Sequence, residues 1–431
     1  MAPPMDLQDW IREGSHRWRL PPRDGCSAAV LALASEPLLR GMDERVRQQA
    51  CCVARLPGLV GPVCLMPDAR WGDGLPVGVV AATDERLGGV VLASGAGVDM
   101  AGGARCLLTN LERAQVLEQR DALAHALADA LTPTPSMGLG LAAMLRGGAR
   151  WAVEQGWGYP EDLLRCEEHG HLDNADAEAV SEHAKRHQGD GLGVFGCGHR
   201  PTAMVSVAMV SLVWVAELFH PTVATQMGLR QGAVAVLILG GCGGLGREVA
   251  SDYRQQMLEA APQVQPSLAC APIGSALGQR YLAAVQAVIN GGCANRQRLT
   301  HGVRDAFNRL WPDADLRVLY DLSYNTCLLE DHLVGHDSRR LVVHRNGAMR
   351  AYGPGHGTLP DPFGRTGQPL FVGGAMGHNA YVLAGLDGAE ALAFSSASPG
   401  LVDGDAVVAA TEQAGLAQRV ARLEPLISIK G

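Results

Sequence analysis

Residues 56–105 read LPGLVGPVCLMPDARWGDGLPVGVVAATDERLGGVVLASGAGVDMAGGAR, and the fold turns on this stretch. Gly or Pro recurs every few positions around short apolar runs, and Asp99 stands between the glycines near its end. This composition describes strands joined by tight turns, because glycine reaches φ values closed to other residues and lets another group approach the main chain. The stretch has the character of a site and not of a surface loop.

The chain around it has 431 residues, of which 47% are apolar. That length allows one large unit or two domains, with a substantial buried core in either case. A formal net charge of −8 excludes sequence-independent coating of nucleic acid, which needs many Lys and Arg on phosphates, but leaves room for a local basic groove. The eleven cysteines are scattered, odd in number and free of C-x-x-C pairs, so they describe reduced thiols in a cytosol and neither a disulfide framework nor a zinc ribbon. The first twenty residues lack the apolar segment of a secretory signal. The longest apolar run, 203–216, is too short to span a bilayer. The expectation is a soluble, cytoplasmic protein with no membrane contact.

Apolar residues at helical spacing predict helices over 111–131, 144–154, 175–186 and 247–259. Two more are expected over 275–290 and 296–310, joined near Gly291 and Gly292. Short apolar runs predict strands over 203–216, 233–239, 318–329, 341–344 and 369–372. Helices and strands alternate without a repeat or a low-complexity linker. The fold class expected is therefore α+β: a single compact domain with mixed sheets and peripheral helices, spanning 48–431 after a lead-in segment at 1–47.

Gly241-Cys-Gly-Gly-Leu-Gly246 matches the spacing of a dinucleotide-binding turn. The helix after it leads to no second strand ending in an acid, so the match is weak.

Taken together, these blocks resemble the RtcB-type RNA ligases, which join a 2′,3′-cyclic or 3′-phosphate RNA end to a 5′-hydroxyl using GTP and manganese. The 56–105 stretch resembles the family's signature block. Ala294-Asn-Arg-Gln297, the His344-to-Ala351 run HRNGAMRA and the terminal Val420-to-Gly431 segment are similar to the family's A-N-R-Q, H-R-x-G-A-T-R-A and V-A-R-L-x-P to I-K-G motifs. What the resemblance implies for chemistry is uneven. The family's Asp-x-x-Cys metal pair is met by Asp99 and Gly102. Its metal-binding histidines in the H-S-G-S-R-G-L-G and Y-D-V-A-H-N motifs are met by Leu239 and Tyr324. Its P-G-S-M-G-T-x-S-Y serines are met by alanines, which removes two hydrogen bonds to nucleotide, each worth on the order of 1 kcal/mol. The histidine that becomes guanylated has no counterpart, since no histidine follows His378.

By the same resemblance, Asn325, Arg345, Arg350 and Lys430 are the candidates for holding nucleotide or phosphate. The arginines suit phosphate through bidentate hydrogen bonds, and structural ion pairing is their alternative reading. His199 aligns either with the family's guanylate-contacting Asn or with its ligand His, one residue apart. Asp99, Cys197, His199 and Cys242 together would form a rebuilt metal site of a kind that favours zinc. Cys in a tight glycine turn is also commonly just a small packed residue.

Three functions follow from the resemblance. The first is a catalytically degenerate relative that binds RNA ends or a protein partner in RNA repair, tRNA splicing or other RNA processing. The second is an enzyme with the rebuilt Cys/His/Asp site. The third is an active GTP- and manganese-dependent ligase, which needs a displaced nucleophile such as His356 or His378. Family members often work with the small activator archease, and the loss of the guanylation segment argues against that partnership here.

Overall fold

The computed structural model describes residues 3–22, 25–97, 100–130, 140–188, 209–242, 244–373, 377–387, 394–395 and 404–430. Among them, fourteen strands form one mixed sheet and two more form a small antiparallel ribbon, Val90–Leu92 with Cys270–Pro272. The sheet starts from Ile11–Arg12, Trp18–Leu20 and Val30–Ala32, continues through Leu59–Arg70 and Val77–Thr83, and reaches the long hairpin of Asp337–Met349 and Leu316–Val334. Gly103–Glu112, Ala233–Leu239, Met209–Leu218, Ala417–Lys430, Ala380–Gly385 and Pro369–Val372 complete it, and Phe394–Ser395 pairs with Asp337–Met349. All neighbours are antiparallel except Val30–Ala32 on Leu59–Arg70.

The expected single α+β domain is what the chain forms. Residues before position 48 enter the sheet and a shared core, in which Trp10, Trp18 and Val46 pack with Val63, Leu65 and Val79. The ten described cysteines form no disulfide with one another, and no helix among the described residues is long and apolar enough to cross a membrane.

One element differs sharply from expectation. Ala276–Leu310 is a single helix of 35 residues, uninterrupted at Gly291 and Gly292. Ser275 starts it by accepting a hydrogen bond from the Gly278 N–H, the usual way an orphan first-turn donor is satisfied. A Cβ on Gly291 would stand 2.4 Å from Cys242 Sγ, and one on Gly292 would stand 2.6 Å from the Ala101 carbonyl oxygen. These glycines mark close packing and not a joint. Most of the helix is buried, against Leu141–Glu154, Arg120–Ala130 and the strand Leu316–Val334.

Smaller differences follow from tertiary context. The helix expected at 111–131 is the end of strand Gly103–Glu112 followed by helices Arg113–Glu118 and Arg120–Ala130. The one expected at 175–186 is a 3-10 turn, Ala177–Ala179, and then the helix Glu182–Gln188.

Candidate nucleotide and metal site

Three adjacent strands end together. Ala104 pairs with Leu239, and Ser323 pairs with Gly103. The Tyr324 N–H donates to the Gly102 carbonyl at 2.8 Å, the Ala101 N–H to the Asn325 carbonyl at 3.1 Å, and the Gly240 N–H to the Gly103 carbonyl at 3.0 Å. Gly102, Leu239 and Tyr324, read far apart in sequence as metal positions, are thus neighbours in space.

Buried charge fixes this convergence. Arg296, from the long helix, donates through Nη1 to the Gly240 carbonyl at 3.0 Å and through Nη2 to Asp321 at 2.7 Å and Ser323 Oγ at 3.0 Å. Arg105 donates to the other Asp321 oxygen and to Gln297 and Thr300. Burial alone would push the Asp321 carboxyl up, but the two guanidiniums hold it below the usual carboxylate range. Asn295 adds a hydrogen bond to the Gly241 carbonyl at 2.8 Å. The A-N-R-Q block therefore ties the strand ends to the helix. Its charged partner, Asp321, was not singled out from the sequence, although an acid inside an apolar strand is itself a signal that it is paired.

Among the described residues, the side chains at positions 102, 239 and 324 do not make up a manganese centre. Such an ion takes oxygen and nitrogen donors; Gly102 and Leu239 have none, and Tyr324 supplies one phenol in place of an imidazole. Leu239 and Tyr324 instead pack against the core that contains Phe371, Val372 and Tyr381. Among the described residues, no three His, Cys, Asp or Glu side chains gather to hold an ion. Beside Leu239 lies a small cleft of about 30 Å³, lined by Val213, Leu237, Phe371, Ala380 and the polar edge of Ser211, Ser428 and His378. That is room for roughly one or two waters, far below the several hundred Å³ of a typical ligand pocket.

The candidate residues sit as follows. Asn325 has the left-handed φ of +57°, and its side-chain oxygen accepts from the Gly347 N–H. Arg345 is fully buried and clamps Glu330 with both Nη atoms, at 2.6 and 2.9 Å; burial would raise the Glu330 carboxyl, and Arg345 holds it well below the usual range. Arg350 donates to Glu168 at 2.6 Å and lies 3.3 Å from Glu167. Burial of Glu167 wins over that cation, and its carboxyl is raised. The Lys430 backbone pairs with Met209 at the mouth of the small cleft. Cys242 is buried, with Sγ directed at Gly291 in a core with Met144 and Leu145. Asp99, Cys197, His199 and the Lys430 side chain lie outside the described residues.

The fold is a mixed sheet crossed by one long helix, with three strands, two of them bordered by glycines, meeting at one place. The family model for the tRNA-splicing ligase RtcB matches residues 49–401. The chain is 34% identical to the tRNA-splicing ligase RtcB of Thermococcus kodakarensis, over 89% of this chain and 82% of that protein. It is 35% identical to the RNA-splicing ligase RtcB of Mycobacterium bovis, over 89% of this chain and all of the relative. A further relative, from Aeropyrum pernix, is 36% identical over 83% and 76%. The chain belongs to the RtcB family.

Proposed function

We propose that this member of the family binds RNA ends, or a protein partner, in RNA repair and processing without performing the GTP-dependent joining step. The observation that carries the reading is the convergence itself: Gly102, Leu239 and Tyr324 meet at the strand ends through the hydrogen bonds of their backbones, while two of the three side chains offer no donor atom. The ties of Arg105 and Arg296 to Asp321 and the packing of Leu239 and Tyr324 against the apolar core support this reading. The cysteine usage supports a reducing, cytoplasmic setting.

The second reading, an active ligase using GTP and manganese, is favoured by the identity to RNA-splicing ligases over most of the chain. A nucleophile is then required, and His378 borders the small cleft. Incubation of the full chain with radiolabelled GTP and manganese, followed by denaturation, separates the two. No covalent guanylate is expected. An adduct that disappears in His378→Ala would establish the ligase reading, and an adduct that survives would place the nucleophile elsewhere. Zinc retained stoichiometrically without an adduct would instead favour the site of Asp99, Cys197, His199 and Cys242.

A further inference from the structure

A second cleft, of about 420 Å³, shares no residue with the small one and lies between the helix Leu141–Glu154, the long helix and the hairpin arm. Its volume is that of a typical small-ligand pocket. Arg150 and Arg340 approach it from two different elements, and neither side chain has an ion-pair or hydrogen-bond partner among the described residues. The carboxylates that line the cleft are engaged, Glu330 by Arg345, Tyr352 and His332, Glu168 by Arg350, and Asp173 by His171 at 2.9 Å, while Asp331 stands across the strand pair from Arg340. Among the described residues, the exposed Arg150 and Arg340 are the cations lining the cleft that have no ion-pair partner.

A buried polar group points the same way. Gln286, on the long helix, is only 8% exposed and lines this cleft, yet its carboxamide has no hydrogen-bond partner among the described residues. Its amide atoms are not themselves buried without a partner; they open to the cleft and are accessible to water or to a bound group. Leu172, Leu328 and Leu329 add apolar surface to the lining. The rim is held in an unusual conformation, with Glu168 and His169 at φ of +49° and +51°. Such non-glycine residues are sparsely populated there and concentrate at ligand clamps.

We propose that this cleft binds a ribonucleoside phosphate, its phosphate between Arg150 and Arg340, its sugar or base hydrogen-bonded by Gln286, and its base against Leu172, Leu328 and Leu329. Guanidinium forks suit phosphate oxygens, and the cleft has both the depth and the apolar wall that inorganic phosphate would not use. The ligand is either a free nucleotide or the phosphate-bearing end of an RNA, and the RNA source rests on the function proposed above.

The test is titration calorimetry on the full chain with adenosine 3′-phosphate, adenosine, inorganic phosphate, and a short RNA ending in either a 3′-phosphate or a 3′-hydroxyl. Adenosine 3′-phosphate is expected to bind, and Arg150→Ala with Arg340→Ala is expected to weaken it by about tenfold or more, while Arg317→Ala, an exposed arginine elsewhere, leaves it unchanged. Gln286→Leu is expected to weaken binding without lowering the melting temperature, a split that a purely structural glutamine would not show. Binding of the nucleotide and of the 3′-phosphate RNA, both lost in the arginine variant, assigns the RNA end as the ligand. Nucleotide binding without RNA binding leaves the cleft standing and removes RNA-end binding from the proposed function. RNA binding insensitive to these residues overturns the cleft and leaves the proposed function. No binding of any probe, or equal binding of inorganic phosphate and nucleotide, overturns the cleft as well.

Discussion

Asp321 is buried and holds two arginines, one from the strand Gly103–Glu112 and one from the long helix, which Arg105 also ties together through Gln297 and Thr300. Removing its charge strands two guanidiniums in the interior, a situation that typically costs about 3–5 kcal/mol. Asp321→Asn is therefore expected to lower the urea midpoint severely or to prevent folding, and a midpoint within error of wild type would show that Gln297, Thr300 and Ser323 suffice for the arginines. His344 makes a different statement. Burial lowers its pKa to about 4 from the ordinary 6.5, although the Ala81 carbonyl favours its protonated form. Its Nε2 accepts from the Leu92 N–H, and a neutral ring with the proton on Nδ1 lets that nitrogen donate to Ala81. The unfolded chain then binds the proton more readily than the folded one. The stabilisation is complete above pH 6.5 and is lost as pH falls toward 4, by up to about 3 kcal/mol. Thermal melts across that window should fall steeply for wild type and less so for His344→Gln; parallel curves would assign the acid sensitivity to other groups. Arg345 and Arg350 show why this scale resists reading from sequence. Both phosphate binding and ion pairing fit the motif, and the carboxylates they meet lie 15 residues away in Glu330 and 182 away in Glu168.

At the scale of elements, the long helix is the clearest lesson. Paired glycines are weak helix formers, which is why Gly291 and Gly292 read as a joint. The packing of Cys242 and of the Ala101 carbonyl against those two positions leaves no room for a Cβ and overrides the propensity. The strand runs Ala233–Leu239 and Pro369–Val372, by contrast, were legible to the residue, because apolar runs bounded by turn residues carry their own limits. The meeting of three strand ends gives a prediction of its own. Since the backbone still brings positions 102, 239 and 324 together, the triple substitution Gly102→Cys, Leu239→His and Tyr324→His is expected to give a chain that retains divalent metal after dialysis, where wild type retains less. Equal metal content in both, with the variant folded by circular dichroism, would mean that backbone convergence alone does not position the donors.

For the molecule as a whole, composition and glycine pattern made the single α+β unit legible, because periodicity and turn chemistry are local properties. The order of strands was not legible. Leu316–Val334 pairs with Gly103–Glu112 on one side and Asp337–Met349 on the other, and only the second of these is its neighbour in sequence. The charged cleft was hidden for the same reason. Arg150, Gln286 and Arg340 belong to three distant segments, and none of them falls in a recognisable motif.

The place of the strand Ala417–Lys430 has a consequence for how the chain is made. It pairs with Met209–Leu218 on one edge and Ala380–Gly385 on the other, so strands synthesised about 160 residues apart are bridged only by one that emerges after both. On the ribosome, Met209–Leu218 must wait with an open edge until that bridge arrives, and an unpaired edge is a template for unwanted pairing. A message broken before codon 417 would therefore yield a chain with a missing stave and an adhesive flank, so the integrity of its own transcript bears directly on the solubility of this RNA-ligase relative.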